Sequence, residues 1–313
     1  MAGPVPAGSG REAALAAALP MPAAASYESR YLEWHDAERS RPVLAKLYLP
    51  AGATAQLPLV VFSHGIGGSR EGYTYLGKYW AAQGVASLHL QHAGSDRSIW
   101  TGNPLALVSR LQDAARESEA VARAVDVRFA LDQLLAGPHG RRLDPGRIAA
   151  AGHSYGANTT LLVAGATVER NGQTLQYRDP RVKAAILISA PPFYGESHLD
   201  AILGPVQIPT LHITATADDI RIPGYYSGLQ DRAAVYAATG SRHKWLAVFK
   251  DGSHSIFTDR LGTGGEALNP QVKAATRELA LDFLKFAWDR QGDAAFSDWQ
   301  GRHRALLAQV LQQ

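Results

Sequence analysis

The sequence predicts an α/β fold, a mostly parallel central sheet with helices on both faces. Three observations carry that expectation. Short apolar runs alternate with amphipathic segments from about residue 43 onward, and strands alternating with helices build parallel sheets covered on both sides. The run Leu57–Ser63 (LPLVVFS) is continuously apolar instead of alternating, as a strand buried on both faces must be. Two glycine-bearing turns, HGIGG at 64–68 and GHSYG at 152–156, each follow such a run.

Taken in order after Leu57–Ser63, residues 75–83 read as a helix closed by Gly84, a common helix stop. Residues 85–90 (VASLHL) are the next strand, and 93–104 a loop, because they gather Gly, Ser, Asp, Asn and Pro. Residues 105–135 read as one long helical region, Ala-rich with charges three or four apart. Then come a strand at 147–151 (RIAAA), a helix at 155–165, and strands at 183–189 (KAAILIS) and 209–215 (PTLHITA). A helix at 228–240 leads to 244–249 (KWLAVF), expected as the last strand. Residues 272–288 form a strongly periodic closing helix, and 299–311 a further short one. No repeat or second domain is visible, so residues 27–313 are expected to form a single domain.

Composition narrows the chemistry. The 313 residues are 46% hydrophobic and 19% charged, ordinary for a globular chain and enough for a core without staples. There is no cysteine, which excludes a thiol nucleophile, a thiolate zinc site and disulfides. The net charge is +3, with Lys and Arg scattered, so nucleic acid is not an expected partner. No apolar run is long enough for a transmembrane segment. Residues 1–26 are Ala- and Pro-rich, with Ala23 and Ala25 before Ser26 imitating a cleavage site. Arg11 is offset by Glu12, and Pro20 and Pro22 break the apolar run, so a flexible arm or a signal remnant is expected. No compartment follows.

Gly152-His153-Ser154-Tyr155-Gly156 is a G-x-S-x-G motif. Alone it is weak, since a plain glycine-rich turn has the same letters, but a small apolar strand leads in and a helix leads out. In that setting the glycines let the chain turn sharply and expose the serine hydroxyl above the sheet, as a nucleophile needs. The earlier Ser63-His64-Gly65-Ile66-Gly67-Gly68 segment lacks the G-x-G-x-x-G spacing or Walker lysine of a phosphate loop. It suits an oxyanion hole, with N–H groups from Ile66 and from Tyr155. His64 is expected to orient this loop.

The acid should follow a later strand, where Asp218 and Asp219 stand side by side. Counting from the small residue Ala215 at the strand end favours Asp218; counting back from Pro223 favours Asp219. Asp96, Asp200 and Asp251 have weaker cases, with no strand ending just before them in the expected order. Of 11 histidines, His254 in DGSHS directly follows the last expected strand. The order Ser154, Asp218, His254, each after its own strand, is the pattern of nucleophile, acid and base. His89 and His92 lack partners for a metal site, and neither metal nor cofactor is expected. Trp100, Phe193, Tyr194, Tyr225 and Tyr226 are aromatic loop residues predicted near the same edge and are candidate substrate contacts.

Residues 59–99, the elbow AAAGHSYGANTTLL, and the stretches TATADDIRIP and DGSHSIF resemble the predicted dienelactone-hydrolase-like group of bacterial α/β-hydrolases. The first stretch is also similar to platelet-activating-factor acetylhydrolases, which share F-S-H-G-x-G and G-H-S-x-G. The resemblance implies an α/β-hydrolase fold and a serine esterase working through an acyl-enzyme. Two departures limit it. Dienelactone hydrolases use a cysteine nucleophile, absent here. The acetylhydrolases carry their acid after the strand that follows the elbow, where this chain has ILISAPP with no carboxylate. The expected substrate is a small-molecule ester, with a polyester or lipid-like ester also open. A peptidase or amidase on the same fold, and a non-catalytic binding scaffold, are the alternatives. No large apolar lid separates the elbow helix from the His254 loop, which points to short acyl groups.

Overall fold

The computed structural model describes residues 27–193, 196, 198–222, 225–260, 265–289 and 293–313. The expected N-terminal arm, Tyr194 and Pro223 lie outside these described residues. The strands are β1 (Tyr27–Asp36), β2 (Arg41–Pro50), β3 (Leu57–Ser63), β4 (Ala86–His92), β5 (Leu143–His153), β6 (Thr167–Arg170), β7 (Gln173–Gln176), β8 (Val182–Ile188), β9 (Thr210–Ala217), β10 (Ile220–Ile222), β11 (Tyr225–Ser227), β12 (Lys244–Ser253) and β13 (Leu307–Gln312). The helices are α1 (Thr74–Ala82), α2 (Leu107–Ala114), α3 (Glu117–Ala136), α4 (Tyr155–Ala164), α5 (Leu199–Leu203), α6 (Leu229–Ala238), α7 (Gly265–Asp289) and α8 (Asp293–His303).

Nine strands form the main sheet in the order β1-β2-β4-β3-β5-β8-β9-β12-β13. The six strands from β4 to β12 run parallel, and β1, β2 and β13 attach antiparallel at the two edges. The continuous apolar runs have the consequence expected of them. Leu59 and Val61 of β3 enter one core with α3 and α4, while Val60 and Phe62 enter another with α1, α7 and α8. Alternate residues of one strand therefore fill two different cores, as period-two geometry requires. Among the described residues no helix is long and apolar enough to cross a membrane.

Four expectations need correction. The strand pattern starts before residue 43, with the β1–β2 hairpin; β1 (YESRYLEWHD) is mostly exposed and charge-rich, so it offers little apolar signal. The helical region 105–135 is two helices, broken at Ala115 and Arg116. Residues 299–311 are not one helix: α8 ends at His303, and Leu307–Gln312 is a strand. Leu306, Leu307, Val310 and Leu311 have helical spacing, but the open edge of β12 supplies backbone partners and overrides it. For the same reason 244–249 is not the last strand.

Candidate active site

The turn between β5 and α4 concentrates strain at Ser154, whose φ is 56° and ψ −123°. A residue with a Cβ seldom sits there. Its neighbours allow it: a Cβ on Gly152 would run into the Gly156 carbonyl, and one on Gly156 into the Ser63 carbonyl. The Ser154 N–H donates to the Ile188 carbonyl at 2.9 Å, which pins the turn to β8. Ser154 thus stands at the C-terminal edge of the sheet and lines a large cavity.

His254 follows β12 and opens a short 3-10 turn. Its Nε2 lies 2.9 Å from Ser154 Oγ, and its Nδ1 2.6 Å from Asp218 Oδ1. Asp218 is wholly buried just beyond β9; its Oδ2 accepts the Thr214 hydroxyl at 2.6 Å, and Arg232 lies 3.6 Å away. Burial alone would raise the Asp218 carboxyl. The hydrogen bond and charge of His254, the charge of Arg232 and the Thr214 hydroxyl outweigh it and hold it below its ordinary value. Asp219 points outward, to Arg221 at 2.8 Å and the Tyr226 hydroxyl at 3.3 Å. Of the two adjacent acids, Asp218 is the one brought to His254.

A second Ser–His–Asp chain lies beneath the first loop. Ser63 Oγ is 3.0 Å from His92 Nε2, and His92 Nδ1 is 3.0 Å from Asp126 Oδ2. Connectivity alone does not make a reactive site. These residues are 2%, 0% and 1% exposed, and Asp126 is engaged by Arg39 and Arg41. No substrate carbonyl can reach this serine. The network instead positions the His-Gly loop: the His92 N–H donates to His64 Nε2 at 3.1 Å, so the proton on His64 sits on Nδ1 and goes to the Gly65 carbonyl at 2.7 Å. Burial pushes both His64 and His92 well below the ordinary imidazole value, and the nearby Arg123 charge adds to it.

Ile66 and Tyr155 both line the Ser154 cavity. Tyr155 is the first residue of α4, where an N–H has no partner within the helix and the helix dipole favours negative charge. One buried guanidinium ties the two segments together. Arg123 is 0% exposed; it donates to the His64 carbonyl, to Ser95 Oγ at 2.8 Å and to Thr159 Oγ1 at 2.9 Å. It also lies 4.7 Å from the centre of the Tyr155 ring. Burial pushes it down to about 10, so it stays cationic at neutral pH. Sequence reading passes over Arg123 because an arginine among the spaced charges of a helix looks solvated.

His153, inside the elbow, is a second such residue. Its Nε2 donates to the His254 carbonyl at 2.9 Å, and its Nδ1 accepts from the Tyr73 hydroxyl at 2.8 Å. Burial, then the charge of His254, pushes it down to about 3, so it is a neutral strut between His254 and Tyr73.

The cavity has a volume of about 1140 Å³. Trp100, Phe193 and Tyr225 line it, and the Trp100 indole N–H is tied to the Gly67 carbonyl at 2.9 Å. Tyr226 does not: alternation along β11 turns Tyr225 inward and Tyr226 to solvent. Among the described residues no cluster of three potential metal ligands occurs.

The fold recurs in solved structures. The ferulic acid esterase from Streptomyces cinnamoneus is 20% identical, with a TM-score of 0.66 over 88% of this chain and 94% of that one. A cold-adapted esterase from an Arctic intertidal metagenomic library is 18% identical, with a TM-score of 0.55 over 80% and 94%. No curated protein matches the chain. The family model described as "Alpha/beta hydrolase family" matches residues 60–311, so this chain, with its parallel sheet and its serine turn between β5 and α4, belongs to the α/β-hydrolase family.

Proposed function

We propose that the chain hydrolyses carboxylic esters of small molecules, with Ser154 as nucleophile, His254 as base and Asp218 as the acid that orients it. The single observation carrying this reading is the unbroken chain from Ser154 Oγ through His254 to Asp218, at 2.9 and 2.6 Å. Asp218 accepts a hydrogen bond from His254 Nδ1–H, which fixes the tautomer and leaves Nε2 free to take the Ser154 proton. The Ser154 oxygen then bonds to the ester carbonyl carbon, and the carbonyl oxygen takes up the electron pair. Ile66 and Tyr155 N–H groups would receive that oxyanion. Collapse expels the alcohol, which leaves with the proton from His254 Nε2, and an acyl-Ser154 remains. Water, deprotonated by His254, attacks the acyl-enzyme; the acid departs and Ser154 regains its proton.

Ester chemistry is further supported by the two fold neighbours, both named as esterases, and by the resemblance of residues 59–99 to serine esterase groups. The test is active-site labelling. A fluorophosphonate should label Ser154 one to one, and p-nitrophenyl acetate hydrolysis should vanish in Ser154→Ala while EDTA leaves the wild type unaffected. Labelling at another residue, with Ser154→Ala fully active, would overturn the assignment.

A further inference from the structure

The Ser154 cavity does not end at the nucleophile. Ser154, Asn158 and Leu162 all line it, and residues four apart share one face of a helix. With a rise of about 1.5 Å per residue, the eight residues from Ser154 to Leu162 carry the cavity about 12 Å along α4. The Asn158 amide nitrogen is engaged by the Pro191 carbonyl at 2.8 Å. Further aliphatic side chains line the same cavity, Val168 and Leu175, paired across the β6–β7 hairpin, with Leu111 from α2 and Val121 from α3, beside the rings of Tyr177 and Phe193. That hairpin is the insertion between α4 and β8 that the sequence pattern does not announce.

The same strand also limits the length of the channel. Arg170 is two residues past Val168, on the same face of β6. It is ion-paired with Glu117 and Glu196, and all three line the cavity. An apolar chain reaching them would strip water from charges without replacing it.

We infer that this channel binds the acyl chain of the substrate, and that its ligand is a linear aliphatic acyl group of about eight to ten carbons, since bonds of about 1.5 Å at tetrahedral angles advance about 1.3 Å per carbon and the stretch from Ser154 to Leu162 is about 12 Å long. The inference rests on the ester-hydrolase reading of Ser154 and names the substrate class for it: medium-chain acyl esters, longer than the short acyl groups expected from the absence of a lid. Each methylene moved from water into the channel is worth up to about fourfold in kcat/KM, the equivalent of about 0.8 kcal/mol.

The experiment measures kcat/KM for p-nitrophenyl acetate, butyrate, octanoate and dodecanoate, and for methyl ferulate, on the full chain. Leu175→Trp and Leu111→Trp, on two different walls, are assayed beside it, with melting temperatures to identify folded protein. The wild type should prefer octanoate over acetate by at least tenfold and gain nothing further at dodecanoate. In whichever Trp variant folds, the octanoate-to-acetate ratio should fall at least tenfold. A wild type that hydrolyses acetate as well as octanoate, a ratio unmoved in both folded variants, or methyl ferulate turned over faster than octanoate would overturn the aliphatic channel while leaving Ser154 hydrolysis standing. Absence of hydrolysis at every chain length, with Ser154 unlabelled by fluorophosphonate, would instead overturn the ester-hydrolase reading itself.

Discussion

Acid should unfold this protein early, and the histidines set the scale. His64, His89, His92, His153 and His212 are each at most 4% exposed, and burial pushes every one of them down, His89, His153 and His212 to about 3. In the unfolded chain each would titrate near the ordinary imidazole value of about 6.5. Below that pH the unfolded state binds up to five more protons than the native one, so stability is fully present above about pH 6.5 and falls as pH drops. At about 1.4 kcal/mol per proton per pH unit, the slope approaches 7 kcal/mol per unit. A domain of ordinary stability, about 5–15 kcal/mol, then unfolds with a midpoint between about pH 4 and 6. Carboxylates held below their ordinary values, Asp218 among them, add to the loss only below about pH 4. Urea unfolding followed by circular dichroism at half-unit steps from pH 8 to 4 measures the slope directly. His212→Gln removes one of these groups on β9, whose hydrogen bond among the described residues is to Thr210 Oγ1 at 3.2 Å, and should flatten the slope by about 1.4 kcal/mol per unit. Native near-ultraviolet dichroism persisting at pH 3.5, or a slope below that of one proton, would refute the argument.

Two further predictions bear on the proposed catalytic residues. Asp218→Asn should lower kcat by about 10³–10⁴ with the fold intact, because the amide can donate to His254 Nδ1 and leave the wrong tautomer, whereas Asp219→Asn should lower it less than about tenfold; the reverse pattern at equal melting temperature would move the acid to Asp219. Arg123→Met should lower kcat and the affinity of a boronic-acid transition-state mimic together, by about 10- to 100-fold, less than losing an oxyanion donor outright. Arg123→Lys should recover part of both, and a rise in KM at unchanged kcat would show that Arg123 does not act through the His-Gly loop.

Much of the fold and of the candidate site is legible along the chain because its signals are local. The apolar runs of β3, β5, β8 and β9 mark strands buried on both faces, and the glycines of 152–156 mark a turn that a Cβ would block. The chain order Ser154, Asp218, His254 is legible too, since each follows a strand whose end the apolar run reveals. Adjacent acids are harder. Ala215 and Pro223 allow two counts, and the choice between Asp218 and Asp219 rests on which side chain turns inward to Thr214 and His254, one residue's difference in direction.

Tertiary structure decided the features that depend on partners distant in sequence. Residues 307–312 have helical spacing but became a strand, because β12 left an edge of unpaired backbone groups. Ser63, His92 and Asp126 make a hydrogen-bonded chain that the sequence does not announce, and the burial of Ser63 and His92, with Arg39 and Arg41 on Asp126, separates it from the chain that opens on the cavity. Arg123 looks like a surface charge in its helix and is wholly buried under the His-Gly loop. The channel draws its walls from α2, α3, α4 and the β6–β7 hairpin, no one of which carries a pocket signal alone. Periodicity reports which face of an element is apolar; it does not report what that face meets, and the shape of a binding site is set by that meeting.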